Sequence, residues 1–293
     1  MEPMPLSFTG IIHYPRLAPR LATHFVPFSE FERDAAAGTL PDFSLIEPNM
    51  LAGHGDYHPA FGRSFSDTVD IALDSPSSML GGEAFLERVY RAYRSATSDT
   101  GANVWNTPLL IGWDEPGGTY DHVPPGRVPS PDPDAPPGEL GFTFERSGYR
   151  VPAILVSPWA EEGAVHTEEY RHTSLIATLT AVWGLGAPFT QRDASARTFQ
   201  HLLSLEEPRD PRTWVEVDAA PVPPWTMDPD VVGRGISGLG KGVIPAVIAR
   251  ARELGVSLPP ELADPDTEVP PRVVIEVFRD IAAHFFPLLE RGR

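Results

Sequence analysis

The sequence predicts an α/β fold, because short apolar strand-like runs alternate with helical patterns through its N-terminal two thirds. Three segments carry this prediction: the amphipathic helical pattern at residues 82–95 and the apolar runs at 108–113 and 151–156. The unbroken apolar run at 108–113 is typical of a strand that is buried on both faces. We therefore expect this strand to lie inside a sheet that helices cover.

The remaining elements follow the same alternation. They are, in chain order, a strand at residues 8–14, a helix at 27–37 that Gly38 ends, a strand at 43–46 and a helix at 173–183. Early acidic residues and a following glycine are the start and stop signals of the helix at 27–37. The strand at 43–46 would place Glu47 at its C-terminal end, where a structural hydrogen bond is as good an interpretation as catalysis.

The character of the sequence changes near residue 206, where proline-rich spacers replace the alternating pattern. We therefore predict two domains, an α/β domain at residues 1–205 and an extension at residues 206–293. Helical patterns near residues 243–254 and 272–289 predict that this C-terminal extension is helical.

The chain carries 23 Lys and Arg against 40 Asp and Glu, a formal net charge of −17. A surface this negative disfavours nucleic acid and anionic membranes, so we predict no nucleic-acid partner. The absence of cysteine excludes disulfides, thiolate zinc sites and a cysteine nucleophile. No signal-peptide pattern and no transmembrane segment is predicted, which leaves the localisation open.

Two adjacent carboxylates, Asp114 and Glu115, directly follow the apolar run at 108–113. Ligand sites of α/β sheets lie where strands end, and the Pro-Gly-Gly turn that comes next can bend the backbone sharply. Both carboxylates could then converge on one divalent cation, with Asp121 and His122 brought back by the turn. For an isolated Asp-Glu pair, a solvated acidic turn is the alternative. The link to Tyr-Asp-His favours a metal site.

Residues 114–125, D-E-P-G-G-T-Y-D-H-V-P-P, resemble the D-E-H-G-G-x-Y-D-H-V-P-P signature of bacterial phosphoesterases. That family includes non-haemolytic phospholipases C and some acid phosphatases. Further matches follow in the family's order: F-S-L-I-E-P at 43–48, D-Y-H-P at 56–59, G-Y-R-V-P-A-I-L-V-S-P-W at 148–159, Y-R-H-T-S at 170–174 and R-D-A at 192–194. Together they span residues 28–199, and their combination is far more specific than any one alone.

This resemblance implies an alkaline-phosphatase-like α/β/α sandwich, of which the chain would be a part. It also implies hydrolysis of a phosphate mono- or diester with the help of a divalent metal ion. The expected partner is a phosphoester small molecule or a phospholipid headgroup, and members of the family are often secreted or periplasmic.

The resemblance also implies roles for individual residues. Asp114 and Glu115 match metal ligands of the family, while His58 and His122 match histidines near the phosphate. His172 matches the histidine of the Y-x-H-T-S motif. We therefore predict Asp114 and Glu115 as metal ligands and the three histidines as catalytic residues.

Two features qualify these roles. A helix-cap contact of His172 with Thr173 and Ser174 is as good an interpretation as a site role. Pro116 stands where the family has histidine, which removes one donor.

The family's E-N-R-S-F-D-H motif and its Ser or Thr nucleophile match nothing in this sequence. A missing N-terminal half, on the same gene or on a separate chain, is one interpretation, and a degenerate relative is the other. In either case we expect that this chain alone hydrolyses phosphoesters very slowly or not at all. Phosphoryl transfer to a nucleophile needs an activated hydroxyl held in line with the phosphorus.

Two other function classes stay open. The first is a non-catalytic relative that keeps a phosphate and metal pocket without chemistry. The second is a nucleotide-binding protein that uses the glycine-rich residues 233–242. The second is disfavoured, because no buried strand precedes G-x-G-x-x-G at 233–238 and Gly242 stands where a P-loop has Ser or Thr.

Overall fold

The computed structural model describes residues 20–48, 55–57, 79–221, 248, 252, 255 and 257–260. Contacts between Cα atoms divide the chain into two compact units: Met1–Ala102 together with Val215–Arg293, and Asn103–Trp214. The domain boundary that we placed at residue 205 stays a prediction.

Several predicted segments lie outside the described residues. They are the strand at 8–14, the glycine-rich residues 233–242 and the helix near 272–289. The helix predicted near 243–254 is described at Ile248 and Arg252, and both residues are helical.

Three α-helices form the described framework of the first unit: α1 (Leu21–His24), α2 (Phe28–Ala37) and α3 (Met79–Arg94). The predicted helix at 27–37 is confirmed as α2, and it ends at Gly38 in the left-handed conformation, with φ 75°. The helical pattern at 82–95 is confirmed as α3, which begins three residues earlier than predicted.

Helices α2 and α3 pack through aromatic and charged side chains. The ring centroids of Phe28 and Phe85 lie 5.1 Å apart, and the Arg88 guanidinium lies 4.6 Å from the Phe28 ring centroid. Arg88 also donates hydrogen bonds of 3.0 Å to both carboxylate oxygens of Glu32. The buried apolar side chains of the two helices are Ala35, Val89 and Tyr93. This helix pair is the described core of the first unit.

The segment at residues 215–219 lies along α3 and is held by its polar side chains. Tyr90 donates to the carbonyl of Val215 at 2.9 Å, and Arg91 to the carboxylate of Asp218 at 2.6 Å. Residues 215–219 of the predicted C-terminal extension are therefore fixed to a helix of the first unit.

The predicted strand at residues 43–46 is wrong. The segment has no regular secondary structure, and Phe43 and Leu45 are exposed. An extended segment becomes a strand only when it pairs with a neighbouring strand, and the sheet in the described part of the chain does not include this segment. The alternation of strand-like and helical patterns in the sequence does not show whether a second strand lies beside such a segment.

The second unit contains a two-stranded sheet of β1 (Leu109–Gly112) and β2 (Ala153–Val156). Both predicted strands are confirmed. They pair antiparallel, so that Gly112 faces Ala153. The expectation that β1 is buried on both faces is wrong, since its residues are half-buried or exposed. An antiparallel sheet can leave one face in water, which an apolar run alone does not reveal.

The predicted helix at 173–183 is confirmed with the same bounds as α4 (Thr173–Trp183), and it ends at Gly184 with φ 62°. A single turn, α5 (Gln191–Ala194), follows. A capping box stabilises the start of this short helix: the Thr190 side chain accepts from backbone N–H groups of the first turn, and the Asp193 side chain accepts from the backbone N–H of Thr190. Three short 3₁₀ segments complete the unit: Glu139–Gly141, Gln200–Leu202 and Pro211–Thr213.

Helices and a small sheet together are compatible with a mixed α/β class. Within the described ranges, no helix is both long enough and apolar enough to cross a membrane.

Two glycines that end helices allow a matched test of packing. A Cβ at Gly38 would lie 2.2 Å from the carbonyl oxygen of Thr100, whereas a Cβ at Gly184 would meet nothing within 4 Å. Both have positive φ, which costs a non-glycine residue roughly 1–2 kcal/mol. We expect Gly184→Ala to lower the free energy of unfolding by about that amount, and Gly38→Ala by roughly 1–3 kcal/mol more because of the clash.

Urea denaturation of the full-length chain measures both changes. Equal losses in the two variants would contradict the close contact at Gly38.

Candidate functional site

After β1 the chain passes through Trp113 to Asp114 and Glu115, and both of these residues are exposed. The turn that follows, at residues 116–119, is closed by a 3.2 Å backbone hydrogen bond between its ends. Gly117 and Gly118 occupy it with φ of 64° and 78°. Only glycine adopts these angles at little cost, so the predicted Pro-Gly-Gly turn is confirmed.

The two carboxylates do not form a complete metal site with other described residues. One oxygen of Glu115 accepts a 2.8 Å hydrogen bond from the backbone N–H of Gly117. In the described part of the chain, no group of three or more His, Asp or Glu side chains could hold a metal ion. A divalent cation at Asp114 and Glu115 would therefore need ligands from elsewhere. Their role as metal ligands stays a prediction.

The expectation that the turn brings Asp121 to the same cation is wrong. Both oxygens of Asp121 accept hydrogen bonds from Arg150, Nε to Oδ2 at 2.8 Å and Nη2 to Oδ1 at 2.7 Å. The backbone N–H of Val123 donates to Oδ1 at 3.0 Å. The hydrogen bonds from Arg150, and after them the bond from the Val123 N–H, are the main causes that hold the pKa of the Asp121 carboxyl well below its usual range. A planar guanidinium matches a carboxylate in this two-bond arrangement, so Asp121 is committed to Arg150.

His122 lies beside this ion pair. Its Nδ1 is 3.7 Å from Asp121 Oδ1, and its side chain is 81% exposed. The imidazole is therefore close to the Asp121 carboxylate and open to a ligand.

His172 occupies the N-cap position of α4, but its side chain makes no capping hydrogen bond. The alternative of a cap contact with Thr173 and Ser174 is therefore wrong. Instead, His172 Nε2 lies 2.9 Å from the carbonyl oxygen of Trp113. A carbonyl oxygen can only accept, so Nε2 is the donor of this hydrogen bond and Nδ1 is not part of it. The ring joins the start of α4 to the end of β1.

The pairing of the two strands places the chain segments that carry these groups at one end of the sheet. Because Gly112 pairs with Ala153, the chain that leaves β1 and the chain that enters β2 meet at the same end of the sheet. Asp114 comes two residues after Gly112, and Arg150 three residues before Ala153. His172 contacts the carbonyl just before Asp114. We call this location the β1 end; its candidate residues are Asp114, Glu115, Asp121, His122, Arg150 and His172.

Two other candidate site residues from the sequence are not among the residues of the β1 end. His58 lies outside the described residues, so its catalytic role stays a prediction. Glu47 is half-buried in the first unit, and its role also stays a prediction. Conversely, the sequence analysis did not single out Arg150. Its signal was a basic residue just before an apolar strand, inside the matched segment at 148–159.

Comparisons with known proteins agree with the motifs. The model of the Phosphoesterase family matches residues 14–186, which is more than half of the chain. This range includes all the candidate residues of the β1 end.

Plant and bacterial phospholipases C are similar to the chain. Non-specific phospholipase C6 of Arabidopsis thaliana is 38% identical over 207 residues, which cover 64% of this chain and 36% of that protein. Non-specific phospholipase C1 of the same plant is 34% identical over 208 residues, 64% of this chain and 35% of that protein. Phospholipase C A of Mycobacterium tuberculosis is 29% identical over 170 residues, 54% of this chain and 28% of that protein.

The chain thus spans about a third of the length of these curated relatives. The resemblance inferred from the motifs is confirmed by the family match and by the names of the relatives. Since that match covers more than half of its residues, the chain belongs to the Phosphoesterase family.

Proposed function

We propose that this protein acts in the hydrolysis of a phosphate ester and that the phosphate group binds at the β1 end. Family membership supports the reaction class. The observation that carries the location is the 2.9 Å contact between His172 Nε2 and the Trp113 carbonyl oxygen. It joins the start of α4 to the chain segment that bears Asp114 and Glu115.

The β1 end offers groups that suit an oxyanion. The positive end of the helix dipole favours negative charge, and His172 lies at the start of the eleven-residue helix α4. Arg150 and His122 add donors on the other side of the turn. In a chain with a net charge of −17, such a local set of donors is needed to offset the repulsion of an anionic substrate.

The histidines suit the proton transfer that ester hydrolysis requires. When the P–O bond to the leaving group breaks, the leaving oxygen must gain a proton. Imidazole is the side chain that gives and takes protons near neutral pH. We therefore assign this role to His122 and His172, of which His172 has its orientation fixed by Trp113.

The finer parts of the proposal rest on the family resemblance. We propose that the chain is part of an alkaline-phosphatase-like α/β/α sandwich with a helical extension at residues 206–293. We also propose a substrate of the phospholipid-headgroup or phosphomonoester class; the names of the relatives support the phospholipid, and the family resemblance alone supports the phosphomonoester. A divalent metal at Asp114 and Glu115 would supply positive charge to the phosphate oxygens, with further ligands from outside the described residues.

The first prediction concerns His172. We expect His172→Ala to weaken binding of inorganic phosphate about tenfold, because the variant loses both the imidazole and the link to β1. Calorimetry with inorganic phosphate and turnover of p-nitrophenyl phosphate, both on the full-length chain, measure the effect. His166→Ala is the matched control, since His166 is an exposed histidine of the same unit.

Phosphate affinity of His172→Ala within twofold of the parent protein would contradict the proposed location. Phosphate binding without turnover is expected both of a chain that lacks the family's nucleophile and of a non-catalytic relative, so affinity for phosphate is the measurement that tests the location.

The second prediction concerns the carboxylate pair. We expect Asp114→Asn and Glu115→Gln each to lower the affinity for Mn²⁺ or Mg²⁺ about tenfold, because the number of charged ligands governs cation affinity. Metal titration by calorimetry measures this change. Glu161→Gln, at an exposed carboxylate of the same unit, is expected to leave the affinity unchanged. Metal binding that survives both substitutions would show that these residues are not the ligands.

A further inference from the structure

We infer that Arg150 binds the phosphate group of the ester directly, with Asp121 holding its guanidinium in a fixed orientation. The inference rests on the proposed function, because it adds a ligand-binding residue to the same site. Its ligand class is any phosphate group with a free negative oxygen, either inorganic phosphate or a phosphorylated headgroup.

The first argument is that only part of the guanidinium is used. Arg150 donates through Nε and through Nη2, and both bonds go to Asp121. Among the described residues, Asp121 is its one hydrogen-bond acceptor. The remaining N–H groups are the second one of Nη2 and both of Nη1, which form the Nη1/Nη2 edge of the planar group, and the side chain is 61% exposed. That edge can donate two parallel hydrogen bonds to a phosphate.

The second argument is that the guanidinium is held in place before any ligand arrives. The Asp121 side chain is only 13% exposed and is itself fixed by the Val123 backbone N–H. Backbone hydrogen bonds between residues 126–128 and 145–147 join the two loops that carry the pair. Ordering a long side chain in advance removes part of the entropy cost of binding.

The third argument is the pair's surroundings. His122 Nδ1 lies 3.7 Å from the same Asp121 oxygen that Arg150 contacts. A protonated His122 and the guanidinium outweigh the one carboxylate, so the cluster is net positive in that state. The hydrogen bonds from Arg150 lower the pKa of Asp121, so the carboxyl stays ionised at pH values below its ordinary titration range, and the pair is lost only when pH falls through the lowered value. The cluster therefore persists in mildly acidic solution.

A second ion pair in the same unit provides a matched control. Arg212 and Asp210 also form a two-bond pair, and the Arg212 side chain is 77% exposed. These two residues are two positions apart in the sequence, and their pair involves no histidine of the β1 end. If the loss of any exposed, paired arginine lowered phosphate affinity, substitutions at Arg150 and at Arg212 would both lower it. If Arg150 binds the phosphate, only the substitution at Arg150 would lower it.

The test is calorimetry of the full-length chain with inorganic phosphate and, separately, with phosphocholine. We expect Arg150→Gln to lower the affinity for both ligands about tenfold or more. Arg212→Gln should change neither affinity by more than about twofold. Arg150→Lys keeps a cation for Asp121 but loses the planar fork, so a loss of about threefold or more is expected. Circular dichroism shows whether each variant keeps its fold, and Arg150→Lys decides the matter if Arg150→Gln does not fold.

Three results would overturn the inference. If the parent protein binds phosphate and both Arg150 variants bind it equally well, Arg150 is not a ligand, and the proposed function stands. If the Arg150 substitutions lower the affinity for phosphocholine but not for inorganic phosphate, Arg150 does not contact the phosphate oxygens. If the parent protein neither binds nor hydrolyses a phosphate compound, the proposed function fails and the inference with it.

Discussion

The antiparallel pairing of β1 with β2 is the constraint on which the candidate site depends. Because Gly112 faces Ala153, the loop that follows one strand and the loop that precedes the other lie at one end of the sheet. A parallel arrangement would have sent these loops to opposite ends. The carboxylates after β1 and Arg150 before β2 share a location for this reason alone.

Two side-chain contacts then turn a shared location into an ordered set of groups. His172 donates to the Trp113 carbonyl and so fixes the start of α4 at the end of β1. Arg150 binds both oxygens of Asp121 and so joins the two loops. Each contact uses one edge of a side chain and leaves the other edge available. The result is a group of donors in a chain whose overall charge is strongly negative.

The sequence predicted those features that depend on neighbouring residues. Helices α2 and α4 end where glycine follows, because Gly38 and Gly184 adopt the left-handed conformation that stops a helix. The strands were recognisable as apolar runs, but their pairing and exposure depend on distant parts of the chain. Residues 43–46 failed as a strand for that reason. In the same way, the partner of Asp121 is 29 residues away, so the basic residue before the second apolar run could not be linked to Asp121 from neighbouring residues.

The central claim is that a phosphate group binds at the β1 end, and a titration followed by nuclear magnetic resonance tests it most directly. The full-length chain would carry ¹⁵N in histidine and arginine side chains, and inorganic phosphate would be added. The account predicts that the signals of His122, His172 and Arg150 shift together with one dissociation constant. Saturable shifts confined to other histidines and arginines, with these three unchanged, would contradict it.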